Sequence, residues 1–322
     1  MDPPGRYVHP YRQCSRDQEA GVFDPEELYE VDSELPELGG AVLLHQLDGF
    51  MDAGTAGKLV TEHLTEGMEN RVVARFDVDR LVDYRARRPV MTFASDHWES
   101  YEAPELAVRL FHDEGGTPFL LLAGPEPDHE WERYATAVRA LVERWGVRMV
   151  VSCHGIPMGA PHTRPLGVTA HATRAELIGE YKPMLNRLQV PGSASALVEL
   201  RLGESGHDAV GFAAHVPHYL AQSRYPAAAV TLLGSITRVA GLSVPDEALV
   251  AAARATDAEI GRQVAESAEV AEVVRALEQQ YDTFVESMDK KNLLADETHM
   301  PTAEELGAEF EKFLADQQGH ND

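Results

Sequence analysis

The rhythm of apolar and polar positions changes twice along this chain and divides it into three segments. Residues 1–36 hold no sustained period. They carry four prolines before Pro36 and the aromatics Tyr7, Tyr11, Phe23 and Tyr29. They read as an extended N-terminal arm whose rings favour docking over free solvation.

Residues 37–245 alternate strand and helix signals, as an α/β core domain does. Ala41–Leu47 is apolar almost throughout, as a strand covered on both faces must be. Gly54–Leu64 follows as a helix. Arg71–Val78 alternates Val72, Ala74, Phe76 and Val78 with charged neighbours and predicts a strand. Pro89–Phe93 is a short strand. Leu106–Phe111 and Phe119–Ala123 flank Asp113-Glu114-Gly115-Gly116, a hairpin connection. Asp128 caps a helix running to Trp145, with Trp131, Tyr134, Val138, Leu141 and Val142 on one face. Val147–Cys153, Val168–Ala172 and Ala209–His215 are strands. Ser193–Leu202 is a helix with Ser193 as its N-cap. Pro226–Gly241 is a helix opened by proline and closed by glycine.

Residues 246–322 carry no strand signal and form a helical C-terminal domain. Leu249, Ala253, Thr256, Ile260 and Val264 step at helical spacing, as do Val270, Val273, Val274, Leu277, Tyr281, Phe284 and Val285. Pro301-Thr302 opens a last helix on Leu306, Phe310, Phe313 and Leu314. Helices of this kind need a packing partner to be stable.

Charge sharpens this division. The net charge is −25 over 322 residues. Ten acidic and three basic residues place −7 on 1–40, and nineteen against six place −13 on 246–322. Such a surface repels nucleic acid and anionic membranes. No apolar run reaches the roughly 18 residues of a membrane span, and the first residues lack a signal-peptide layout. The two cysteines, Cys14 and Cys153, lie far apart and point to a reduced, cytoplasmic setting.

The best candidate for chemistry is the loop between the first core strand and its helix, Asp48-Gly49-Phe50-Met51-Asp52-Ala53-Gly54. Open α/β sheets bind ligands outside the carboxyl ends of strands. Gly54-Thr55-Ala56-Gly57-Lys58 is not a phosphate loop, because Asp52 and Leu59 stand where it needs glycine and a hydroxyl. The dinucleotide fingerprint is absent too. The glycines serve either a small-ligand pocket or a tightly packed turn. Two aspartates favour a cationic, polar or metal-bridged ligand over a bare phosphate.

His154 follows a buried strand and reaches the same sheet edge if both strands are parallel. His162 and Arg164 sit in the next loop, and His171 on the next strand. A histidine beside carboxylates in a cleft can act as general base, and a hydrogen-bonded structural histidine is the bland alternative. None of the histidines shows a standard metal-ligand spacing. Cys153 and His154 alternate across a strand, so Cys153 is a core thiol. Ser193 fits no nucleophile motif. Glu199 lies among apolar neighbours as a candidate buried carboxylate. Asp77 and Asp79 share a strand face, where Arg75 and Arg80 make a surface ion-pair cluster the simpler reading. Arg80, Arg85, Arg87 and Arg88 form the one basic patch, a candidate partner surface.

Several segments together resemble the proteasome assembly chaperone 2 family in its longer, actinobacterial-type form. They are Leu47-Asp48-Gly49-Phe50-Met51-Asp52-Ala53-Gly54, Phe76-Asp77-Val78-Asp79-Arg80, His154-Gly155-Ile156-Pro157, Pro191-Gly192-Ser193-Ala194 and Val216-Pro217-His218-Tyr219-Leu220, followed by Tyr225-Pro226-Ala227-Ala228-Ala229. The resemblance covers roughly residues 35–320. It implies a three-layer α/β/α sandwich similar to purine nucleoside phosphorylases, a helical C-terminal extension, and homo-oligomers such as trimers. Eukaryotic and archaeal members help assemble proteasome α-subunits and commonly end in a hydrophobic-Tyr-any tripeptide. This chain ends His320-Asn321-Asp322 and departs from that pattern. The leading expectation is a non-enzymatic, oligomeric chaperone or scaffold with a proteasome-related partner and no metal or cofactor. The alternative is a small-molecule binder or a hydrolase- or phosphorylase-like enzyme using the Asp48–Gly54 loop and His154.

Overall fold

The computed structural model describes residues 24–33, 38–49, 51–179, 181 and 187–293. The chain divides into two compact units, one ending at Val274 and one beginning at Arg275. A short 3-10 turn, Pro25–Leu28, leads into β1 (Tyr29–Val31). Then follow β2 (Val42–Asp48), α1 (Ala56–Gly67), β3 (Asn70–Phe76) and the one-turn α2 (Val78–Leu81). A ribbon of β4 (Met91–Ala94) and β5 (His97–Tyr101) precedes β6 (Ala107–His112) and β7 (Pro118–Pro125). The core continues with α3 (Trp131–Trp145), β8 (Met149–Met158), β9 (Val168–Ala172), α4 (Ala194–Glu204), β10 (Ala209–Pro217) and α5 (Pro226–Ala240). The helices α6 (Glu247–Glu266) and α7 (Ala268–Leu293) end the described chain.

Among the described residues eight strands form one mixed sheet in the order β1-β3-β6-β7-β2-β8-β10-β9. The central strands β7, β2, β8 and β10 run parallel to one another. The outer strands β6, β3, β1 and β9 join by antiparallel pairing. Helices cover both faces. Leu43 and Leu47 of β2 share one apolar core with Tyr134, Val138 and Leu141 of α3 and Val198 and Leu202 of α4. Val42 and Leu44, pointing the other way, join Leu59 and Leu64 of α1 and Leu232 and Ile236 of α5. Strand alternation thus feeds two cores, which is why β2 reads as a continuous apolar run.

Local signals explain most boundaries. Ser193 Oγ accepts from Ala196 N at 3.1 Å and starts α4. Pro226 opens α5, and Gly241 closes it at φ +64°. Others move. Asp128 does not cap α3; its carboxylate accepts from Asp83 N at 2.8 Å and from Arg87 at 2.6 Å, and Glu130 takes the cap position. β3 stops at Phe76, and Asp77 caps α2 by position, so Asp77 and Asp79 do not share a strand face. Asp79 instead accepts from Tyr84 Oη. Arg75 pairs with Glu105 at 3.1 Å.

Part of the N-terminal arm is a strand: Tyr29↔Phe76, Glu30↔Arg75 and Val31↔Ala74 pair at the edge of the sheet. The Tyr29 and Phe76 rings lie 5.7 Å apart. The rest of the arm before Asp24 lies outside the described residues, as do Cys14 and the last expected helix from Pro301. Leu249 and Ala253 of α6 are buried, and α6 packs on α5. The first compact unit therefore extends past residue 246 into α7.

Candidate functional site

The loop after β2 is held to the rest of the fold by backbone. Asp52 Oδ1 accepts from Gly57 N and from Gly155 N, each at 2.9 Å, and Oδ2 from Lys58 N at 3.0 Å. One carboxylate thus anchors the start of α1 to β8. Burial pushes its pKa up, and the N–H donors pull it back. Gly54 adopts φ +69°; its N–H donates to Ala221 O at 2.8 Å, and its carbonyl accepts from Tyr225 N at 2.9 Å. A Cβ on Gly155 would fall 2.0 Å from Ala53 O. Here the glycines allow backbone to meet backbone. Asp48 points toward Lys58 at 3.9 Å. Burial pushes the Asp48 pKa up, and Lys58 opposes this.

A cavity of about 420 Å³ opens at the carboxyl ends of β2 and β8, beneath the N-terminus of α4. Leu47, Met51, Ile156, Val190, Pro191 and Ala213 give it apolar walls. His154 projects into it from β8, opposite Ala213 of β10. Glu199, one turn and a half into α4, accepts from or donates to His171 Nδ1 across 2.8 Å, according to protonation. The His171 ring lies over Gly211, where a Cβ would be 2.0 Å from it. The His154 ring makes no hydrogen bond among the described residues. Burial lowers its pKa to about 4, with His171 pushing the same way and Glu199 opposing. It is a neutral imidazole at pH 7.

The α4 N-terminus itself is filled. Glu126 Oε1 accepts from Ala194 N at 2.7 Å, and Ser193 Oγ takes the Ala196 N–H. Glu126 reaches that place because Gly49 has no side chain; a Cβ there would sit 2.3 Å from Glu126 Oε2. Among the described residues no group of three or more His, Cys, Asp or Glu could hold a metal ion.

Residues 46–264 match the profile of the PAC2 family. The chain belongs to the PAC2 family. Among solved structures, the Mycobacterium tuberculosis protein of unknown function Rv2714 is 48% identical, with a TM-score of 0.80, covering 83% of this chain and 92% of its own. A Corynebacterium glutamicum protein of unknown function is 39% identical, with a TM-score of 0.76, covering 81% and 99%. The M. tuberculosis proteasome-assembly chaperone homologue Rv2125 is 28% identical, with a TM-score of 0.66, covering 72% and 99%. No curated protein matches the chain.

In this PAC2 chain the cavity gathers Gly49, His154, Ser193 and Glu199 from the sequence candidates. Asp48, Asp52, Ala53 and Gly54 do not line it. His162 lies elsewhere, its Nδ1 2.7 Å from Tyr219 Oη, and Arg164 Nη1 donates to Thr163 O at 3.4 Å. Phe50 lies outside the described residues. Sequence reading missed Glu126 and left His171 unpaired. Glu126 stands directly after β7, the parallel neighbour of β2, and that adjacency was its one available signal.

The basic patch of the PAC2 chain splits. Arg80 pairs with Glu27 at 3.8 Å. Arg87 is a strut: it donates to Asp48 O at 3.1 Å, to Glu126 O, and to Asp128. Arg85 and Arg88 are exposed and form no ion pair among the described residues. No described helix is long and apolar enough to cross a membrane.

Proposed function

We propose that this PAC2-family chain is a chaperone-like assembly factor that works as a non-enzymatic homo-oligomer, such as a trimer, on a proteasome-related partner in the cytoplasm. The observation that carries the reading is the β4–β5 ribbon. It forms a two-stranded sheet of its own, and Met91, Phe93, Trp98 and Tyr101 stand 48%, 55%, 64% and 50% exposed on it. Contiguous exposed apolar groups of that size ordinarily mark a protein-contact surface. Arg85 and Arg88 stand a few residues before the ribbon and add charge suited to an acidic partner. The likeness to a proteasome-assembly chaperone homologue at 28% identity supports the kind of partner. The hydrolase- or phosphorylase-like alternative has less behind it, since the carboxylates of Asp48 and Asp52 do not line the cavity that His154 enters.

The test is light scattering of the purified chain together with affinity capture against recombinant proteasome α-subunits. The reading expects a mass of several copies and retention of the α-subunit. A monomer that retains no α-subunit overturns it.

A further inference from the structure

The cavity beneath α4 has the position and size of a small-molecule site, whatever the ribbon binds. Open α/β sheets place ligands outside the carboxyl ends of their parallel strands. A volume of about 420 Å³ falls within the range of roughly 300–1,000 Å³ typical of such sites. Its walls are apolar on the side of Leu47, Met51 and Ile156, so an apolar body gains by entering.

The polar groups decide the sign of the ligand. A helix N-terminus would ordinarily welcome an anion. Here the first amide of α4 is already taken by the Glu126 carboxylate, and the third by Ser193 Oγ. No lysine or arginine is among the described lining residues, whereas Glu126 and Glu199 both are. Among the described lining residues a second anion would meet two carboxylates and no lysine or arginine. Glu199 is only 17% exposed and is fixed in place by His171 at 2.8 Å. The His154 ring offers a nitrogen lone pair or N–H that no described residue uses. Staying neutral near pH 7, it does not repel a cation.

We propose that this cavity binds a small organic amine, with its ammonium head against Glu199 and His154 and its apolar body against Leu47, Met51 and Ile156. A charge-assisted hydrogen bond of this kind is worth about 1.5–3 kcal/mol, hence about tenfold or more in affinity.

The probes are tryptamine and indole-3-propionate, which share an apolar ring and differ in the sign of the head. Each is titrated calorimetrically into the full chain at pH 7.5. Tryptamine is expected to bind saturably, and indole-3-propionate at least tenfold more weakly. Glu199→Gln should weaken tryptamine at least tenfold. Ala196→Trp, on an exposed position at the cavity wall, should block it by filling space and serves if Glu199→Gln fails to fold. Glu66→Ala, on the exposed end of α1, should leave binding unchanged. The proposal is overturned if the carboxylate binds as well as the amine, if tryptamine binding survives both cavity variants, or if neither probe binds at millimolar concentration.

Discussion

His45 lies in the middle of β2 at 1% exposure, with Nε2 3.1 Å from Tyr134 Oη. Burial lowers its pKa to about 4. Above about pH 6.5 neither the folded nor the unfolded chain protonates it. Between about 6.5 and 4 the unfolded chain takes up the proton and the folded chain does not, so stability falls with pH across that window. The contribution is roughly 2–3 kcal/mol by pH 4.5. Urea unfolding at pH 7 and pH 4.5 should show His45→Leu less stable at pH 7, because Tyr134 Oη loses its partner, yet losing less between the two. An equal loss in both proteins refutes the assignment. At this scale the sequence was most misleading about aspartates. Asp52 looked like a ligand group because its carboxylate stands in a glycine loop. It accepts from two nearby backbone N–H groups and from Gly155 N, 103 residues away, and no local pattern announces that last approach. Cys153 was legible as a core thiol, since strand alternation alone sets its face; it is buried and free.

Elements with strong punctuation were legible: the proline and glycine around α5, Ser193 before α4, and the continuous apolar run of β2. The β4–β5 ribbon was half missed. Its strands are exposed on both sides, so β5 has no apolar face for a period to reveal. The ending of β3 shifted because Asp77 starts a helical turn that charge alternation conceals. The joint between α1 and β8 rests on one carboxylate, and Asp52→Ala would strip acceptors from three backbone N–H groups. Leaving such donors unpaired costs about 1–3 kcal/mol each when buried. Thermal unfolding should place Asp52→Ala at least about 2 kcal/mol below wild type, while tryptamine affinity in the folded protein changes less than for Glu199→Gln. A variant as stable as the parent would remove the joint from this account.

At the level of the whole molecule, alternation of strands and helices indicates an α/β fold with helices on both faces, and the structure has it. The strand order was not legible, because β7, β2, β8 and β10 become neighbours through crossovers that leave no mark on local periodicity. The family-bearing segments, in contrast, cluster at the carboxyl edge of that sheet. If the ribbon joins copies of the chain, Phe93→Asp with Trp98→Asp should lower the mass seen by light scattering to that of a monomer. The fold of the single chain, followed by far-UV circular dichroism, should be unchanged, since both side chains are more than half exposed on it and surface changes usually stay within about 0.5 kcal/mol. An unchanged mass would locate the contact elsewhere. The brief strand β1 carries a different consequence. Its three residues occupy the backbone groups of β3 that would otherwise stand open at the margin of the sheet. Unoccupied strand margins template the addition of foreign strands and seed aggregation. A chain shortened past Val31 would lose that cover, and with it a guard against clumping.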